Sequence, residues 1–119
     1  MSDYNGMDPA GLARLHRVGG PDFVKKMIDL FLEEAPERLS AARIGEQTGD
    51  HAAIAAAAHS LKSSSHNFGA VSLGLIAQRI EMSVRNRDIA NLAALLNELE
   101  QTFSVAKLWL EDQRKMLPT

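Results

Sequence analysis

Asp50-His51-Ala52-Ala53-Ile54-Ala55-Ala56-Ala57-Ala58-His59-Ser60-Leu61-Lys62-Ser63-Ser64-Ser65-His66-Asn67-Phe68-Gly69 is the stretch whose reading decides the fold. Asp50 is a residue type that caps helix N-termini, and Gly69 is the type that ends helices in a left-handed conformation. Between them the chain reads as one helix. At about 100° per residue, Ile54, Ala57, Ala58, Leu61, Ser65 and Phe68 share a face. His59 falls roughly 140° from the centre of that face and points at water. Its neighbours on the outer surface, Ala52, Ala55, Ala56 and Ser63, are all small, where an ordinary solvated face carries Glu and Lys. An exposed imidazole in a smooth collar suits a nucleophile presented to another protein.

Working outward, the punctuation counts the other helices. Asp8-Pro9 opens a short helix over about 8–18 with Leu12, Leu15 and Val18 as its apolar residues, and Gly19-Gly20 stop it. Pro21 opens a long helix over about 21–47 whose stripe is Val24, Met27, Ile28, Phe31, Ala35 and Ala42. Pro36 inside it removes one backbone donor, which predicts a kink rather than an end. Thr48-Gly49 closes that helix, and the His59 helix follows over about 50–68. A further helix over about 71–86 carries Leu73, Ile76, Ala77, Ile80 and Val84. Asp88 is then expected to cap a last helix, about 88–115, with Leu92, Leu95, Leu96, Leu99, Phe103, Ala106 and Leu110 at helical spacing. No segment alternates with period two for long enough to make a strand. The expected fold is all-α: an antiparallel up-down four-helix bundle with an additional short N-terminal helix, forming one domain over 1–119.

Composition narrows the function. The net charge of −2 over 119 residues lacks the basic stripe of a nucleic-acid binder. The chain has no cysteine, which removes thiolate metal sites, disulfides and cysteine nucleophiles. No apolar run is long enough to span a bilayer, and Met1-Ser2-Asp3-Tyr4-Asn5-Gly6 carries no signal pattern. A cytoplasmic monomer is the expectation. No Gly-rich phosphate loop is present, so no ATP site of its own is expected. His16, His51 and His66 read as solvated polar residues. His59 and His66 lie two turns apart, too far to share one metal, so no metal or other cofactor is expected.

Two further side chains bear on His59. Lys62 follows it by three residues, across one turn, where an ammonium could neutralise a phosphoryl group on the imidazole. As an ordinary solvated lysine it would look the same in sequence. If the helices on either side of Gly69 run antiparallel, Glu81 stands at nearly the height of His59, ten residues before the hinge against twelve after. Glu81 lies about 80° from its own stripe centre, at the boundary facing a neighbour. A carboxylate there could hold one ring nitrogen and leave the other free to attack. A solvated surface glutamate is the equal alternative.

The run His59-Ser60-Leu61-Lys62-Ser63-Ser64-Ser65-His66-Asn67-Phe68-Gly69-Ala70 resembles the signature of histidine-containing phosphotransfer (HPt) domains, H-x-L-K-G-x-S-x-x-[apolar]-G-[small]. Phe31-Leu32-Glu33-Glu34-Ala35-Pro36, the Gly49-Asp50 break and Gln78-Arg79-Ile80-Glu81 match in type and spacing too, so the resemblance runs from about Asp8 to the last helix. It implies a phosphoryl carrier, not an enzyme, in a two-component phosphorelay. His59 matches the phosphoacceptor and Lys62 the charge-neutralising lysine. Glu81 matches the position that hydrogen-bonds the active imidazole, and Arg85, one turn on, would approach the phosphoryl group. The implied partners are receiver domains of response regulators or hybrid histidine kinases, which would bring their own Mg²⁺. They would dock over Ala52, Ala55, Ala56, Ser63 and His66. Ser63 departs from the family's usual glycine; serine is the next smallest polar choice, so docking is expected to survive, with any cost falling on its rate. A non-catalytic interaction module that binds receivers or other signalling proteins is the main alternative. A small-molecule enzyme using His59 as general base would need a convergent polar set that the sequence does not offer.

Overall fold

The computed structural model describes residues 6–118 and places four helices: α1 (Ala10–Thr48), α2 (His51–Phe68), α3 (Val71–Arg85) and α4 (Leu92–Met116). The expectation for Met1–Asn5 lies outside the described residues. α1 packs on α2 and α4, α3 packs on α2 and α4, and the diagonal pairs do not meet. Cross-helix pairs fix the directions: Phe31 meets Phe68, Arg38 meets Ser60, Arg43 meets Glu100, and Arg114 meets Asp29. Adjacent helices therefore run antiparallel, as the sequence predicts. No helix among the described residues is long and apolar enough to cross a membrane.

The apolar stripes are the core. Ile54, Ala57, Ala58, Leu61, Ser65 and Phe68 are the buried residues of α2, and Leu92, Leu95, Leu96, Leu99, Phe103, Ala106 and Leu110 those of α4. Phe31 ties three helices together, with ring centroids 4.8 Å from Phe68 and 6.0 Å from Phe103. Trp109 packs half-buried at the rim of this cluster.

Two boundaries differ from the sequence reading. Gly19-Gly20 do not stop the first helix: Gly20 alone leaves helical geometry (φ 79°, ψ −175°), and Pro21 restarts the turn at once. The short helix and the long one are thus two arms of α1, and Val18, beside the break, is 78% exposed rather than part of the core. At Pro36 the helix does not end, as the sequence reading expects. The last helix starts at Leu92, not at Asp88. Arg87 takes a left-handed φ of 58°, and the Asp88 amide donates to the Ser83 carbonyl at 2.8 Å. Asp88 thus completes the end of α3, and the cap position of α4 falls to Asn91.

The α2–α3 hinge is the tightest part of the fold. Asp50 caps α2 by accepting from the Ala53 amide at 3.1 Å, and Gly69 ends it at φ 69°. The segment before α1 straps across this hinge. The Asp8 amide donates to the Gly69 carbonyl at 2.7 Å, the Ser72 amide donates to the Gly6 carbonyl at 3.1 Å, and Met7 is buried between them. Gly11 then lets the short arm of α1 rest on the end of α2, because a Cβ there would overlap the backbone of Phe68 and Gly69.

Gly11→Ala is therefore expected to destabilise the bundle by about 1–3 kcal/mol, despite alanine's better helix propensity. Urea unfolding measures this. An unchanged midpoint would mean that the short arm does not rest on the end of α2.

Candidate functional site

His59 stands on the outer face of α2 with its side chain 63% exposed, as its wheel position predicts. The bundle core anchors the backbone beneath it through Ala58 and Leu61, which are buried. Across the α2–α3 groove, the Glu81 side chain is only 12% exposed. Its Oε2 lies 3.0 Å from His59 Nδ1, and its Oε1 accepts from Lys62 Nζ at 2.9 Å. Arg85, one turn further along α3, reaches Oε2 at 3.5 Å. One carboxylate thus gathers the imidazole, an ammonium and a guanidinium. The hinge at Gly69 sets the register that makes this possible.

Electrostatics follow from that geometry. The hydrogen bond from Lys62 holds the Glu81 carboxyl below the usual glutamate range; partial burial works against this, and His59 adds a second lowering contact. An ionised carboxylate can only accept, so the proton of a neutral His59 ring lies on Nδ1 and the lone pair on Nε2. The ring is held by one nitrogen and open at the other. Two cations against one carboxylate leave a positive excess beside it, in a chain whose net charge is −2. That setting suits attack on a phosphorus centre and acceptance of its negative charge.

The four site residues named from the sequence, His59, Lys62, Glu81 and Arg85, are therefore brought together. Ala52, Ala56, Ser63 and His66 are exposed on the same outer surface of α2, while Ala55 is half-buried. His16 and His51 are exposed and stand apart from the cluster. No group of three or more metal-ligating side chains occurs among the described residues. Two features escaped the sequence reading. Arg14, from the short arm of α1, donates to the His66 carbonyl at 3.2 Å, and nothing in the sequence pairs these segments. α3 also exposes Val71, Leu75 and Met82, a second apolar stripe whose spacing of four and seven was visible in the sequence.

A model of the Hpt domain family matches residues 26–109. Among solved structures, the chain resembles the crystal structure of histidine-containing phosphotransfer protein B (HptB) from Pseudomonas aeruginosa PAO1. The TM-score is 0.89 at 29% sequence identity, covering 95% of this chain and 97% of that one. A search of curated proteins gave no match.

The Glu81 carboxyl is expected to titrate below the usual glutamate range in an NMR pH series. Its folded value is depressed, so the cluster's contribution to stability is complete above the unfolded-chain value of about 4.3. It is lost as the pH falls through the lower folded value. Lys62→Met removes the largest lowering contact and should move the Glu81 titration upward. A titration that stays in place would show that Lys62 does not set it.

Proposed function

Because this chain belongs to the Hpt domain family, we propose that it is a phosphorelay carrier that takes a phosphoryl group onto His59 from a receiver-domain aspartate and passes it to another receiver. The observation that carries this reading is the exposed imidazole pinned through Nδ1 to Glu81, with Nε2 open.

The transfer is balanced without a separate base. The Nε2 lone pair attacks the phosphorus of the aspartyl phosphate, the N–P bond forms, and the P–O bond breaks with its electrons leaving on the aspartate carboxylate. The ring becomes cationic and keeps its Nδ1 proton facing Glu81, so the new positive charge develops against a carboxylate 3.0 Å away. In the onward step an acceptor aspartate attacks the same phosphorus, and the N–P electrons return to Nε2. Lys62 and Arg85 stand where they can turn from Glu81 to the phosphoryl oxygens. The receiver contributes Mg²⁺ on its own acidic cluster, which neutralises charge at the aspartate. Ala52, Ala56 and Ser63 leave the approach to Nε2 unobstructed, with half-buried Ala55 beneath and His66 at the margin.

The test is transfer from a phosphorylated receiver domain to wild type and to His59→Gln in parallel. Wild type should gain an acid-labile, base-stable label. His59→Gln should gain none while staying folded, its stability within about 0.5 kcal/mol of wild type, as for most surface substitutions. Receiver binding without any label on wild type would instead favour an interaction module. Lys62→Ala should stay competent but change the transfer rate or the phosphohistidine lifetime; unchanged kinetics would make it an ordinary solvated lysine.

A further inference from the structure

A cleft of about 260 Å³ opens beside the His59 cluster, lined by Gly11 and Arg14 of α1, Lys62, Ser65 and His66 of α2, and Gly74 of α3. Two of its groups have donor capacity that no protein acceptor takes up. Ser65 is fully buried and its Oγ has no hydrogen-bond partner. Two helical hydroxyls elsewhere, those of Thr48 and Ser104, bond back to the carbonyl four residues earlier. A hydroxyl removed from water without a partner is unfavourable, so this one is poised to gain from an acceptor. Arg14 is the second group. One of its nitrogens is tethered to the His66 carbonyl at 3.2 Å, and no carboxylate among the described residues pairs with it. Asp8, also on the cleft wall, has its carboxylate on the Ala10 amide. Lys62 already has Glu81.

We infer that this cleft is a side-chain receptor within the docking face, taking an aspartate or glutamate side chain of the incoming receiver domain. A carboxylate matches both groups, accepting from the exposed Arg14 guanidinium at the mouth and from the Ser65 hydroxyl once that buried side chain turns from the wall into the cleft. Placement argues for a protein-borne acid. Lys62 and His66 lie about 5 and 10 Å along the helix from His59. A stable interface covers about 800 Å² per partner, a disc of roughly 16 Å radius. A protein that sets an aspartyl phosphate in line with Nε2 therefore covers the cleft as well. The site would then select among receivers by one acidic side chain, apart from the chemistry at His59. This inference rests on the phosphorelay reading, deepening it by naming what the partner must carry.

The test compares wild type, Arg14→Ala, Ser65→Ala and Gly74→Ala with two phosphoryl donors. One donor is phosphoramidate, too small to need a docking face. The other is a purified receiver domain charged by acetyl phosphate, chosen from a panel as the fastest donor to wild type. A Cβ on Gly74 would sit 3.5 Å from that of Ser65, an ordinary contact, so Gly74→Ala narrows the cleft without breaking the fold. Phosphoramidate should label His59 of all four proteins at rates within about twofold. Transfer from the receiver should lose about tenfold in kcat/KM for Arg14→Ala and at least about threefold for the other two, mainly through KM. Ser65→Ala should also be more stable to urea than wild type while docking less well, a combination that a purely structural serine would not give. Unchanged receiver kinetics in Arg14→Ala and Ser65→Ala would overturn the proposal. Loss in Gly74→Ala alone would also overturn it, pointing to an apolar occupant. Wild type that accepts label from phosphoramidate but from no receiver would refute the phosphorelay reading itself.

Discussion

The turn at Gly69 is the constraint on which the rest depends. Its backbone sits at φ 69°, where a side chain is strained, and a Cβ there would collide with the Asp8 carbonyl. Because the turn is this tight, α2 and α3 leave it antiparallel with no slack in register. Ser65 then faces Gly74, and further along, His59 and Lys62 face Glu81. A one-residue slip in α3 would rotate Glu81 by about 100° and separate it from both. The strap of Gly6–Asp8 and the arm of α1 resting through Gly11 close the hinge from outside. A covalently simple device thus holds a four-residue cluster whose own contacts are surface contacts, each weak when taken alone.

The cluster divides its tasks by exposure. Glu81 is mostly covered and His59 mostly open, so the orienting group is fixed while the reacting group stays reachable. Lys62, with His59 as a second contact, holds the Glu81 carboxyl below the usual glutamate range, and Arg85 adds a further cation beside it. On the proposed route, a dianionic phosphoryl group arriving at Nε2 would meet cations already positioned for another purpose. This arrangement uses no deep pocket, in keeping with a reaction whose second half is carried by another protein.

The legibility of the chain follows the range of the forces involved. The apolar stripes, the core and the ends of α2 were readable because they depend on neighbours in sequence: Asp50, Gly69 and the buried stripes of α2 and α4 stand where local chemistry puts them. Where two local signals competed, reading failed. Gly19-Gly20 looked like a stop, but Pro21 has its φ preset for a helix and restarts one after a single non-helical residue. Asp88 looked like an N-cap, but the left-handed turn at Arg87 places it at the end of α3, and α4 begins only after Asn91. The Glu81–His59 contact was legible only through the hinge, since equal distances from a tight turn place two residues at one height. Arg14 was not legible, because its partner lies 52 residues away across no such turn.

The sequence by itself determined four helical stripes, their capping residues and a histidine facing water, all consequences of 3.6-residue periodicity and local backbone preference. The signature around His59 added the family and the identity of the reactive nitrogen's neighbours. The tertiary structure decided which groups are paired and which are left wanting. Lys62 lies on Glu81 in this state, Asp88 belongs to α3, and Ser65 keeps a buried hydroxyl with no partner beside an arginine with no acid. Those outcomes depend on distances between helices, set by the packing of side chains far apart in the chain. No local pattern encodes them.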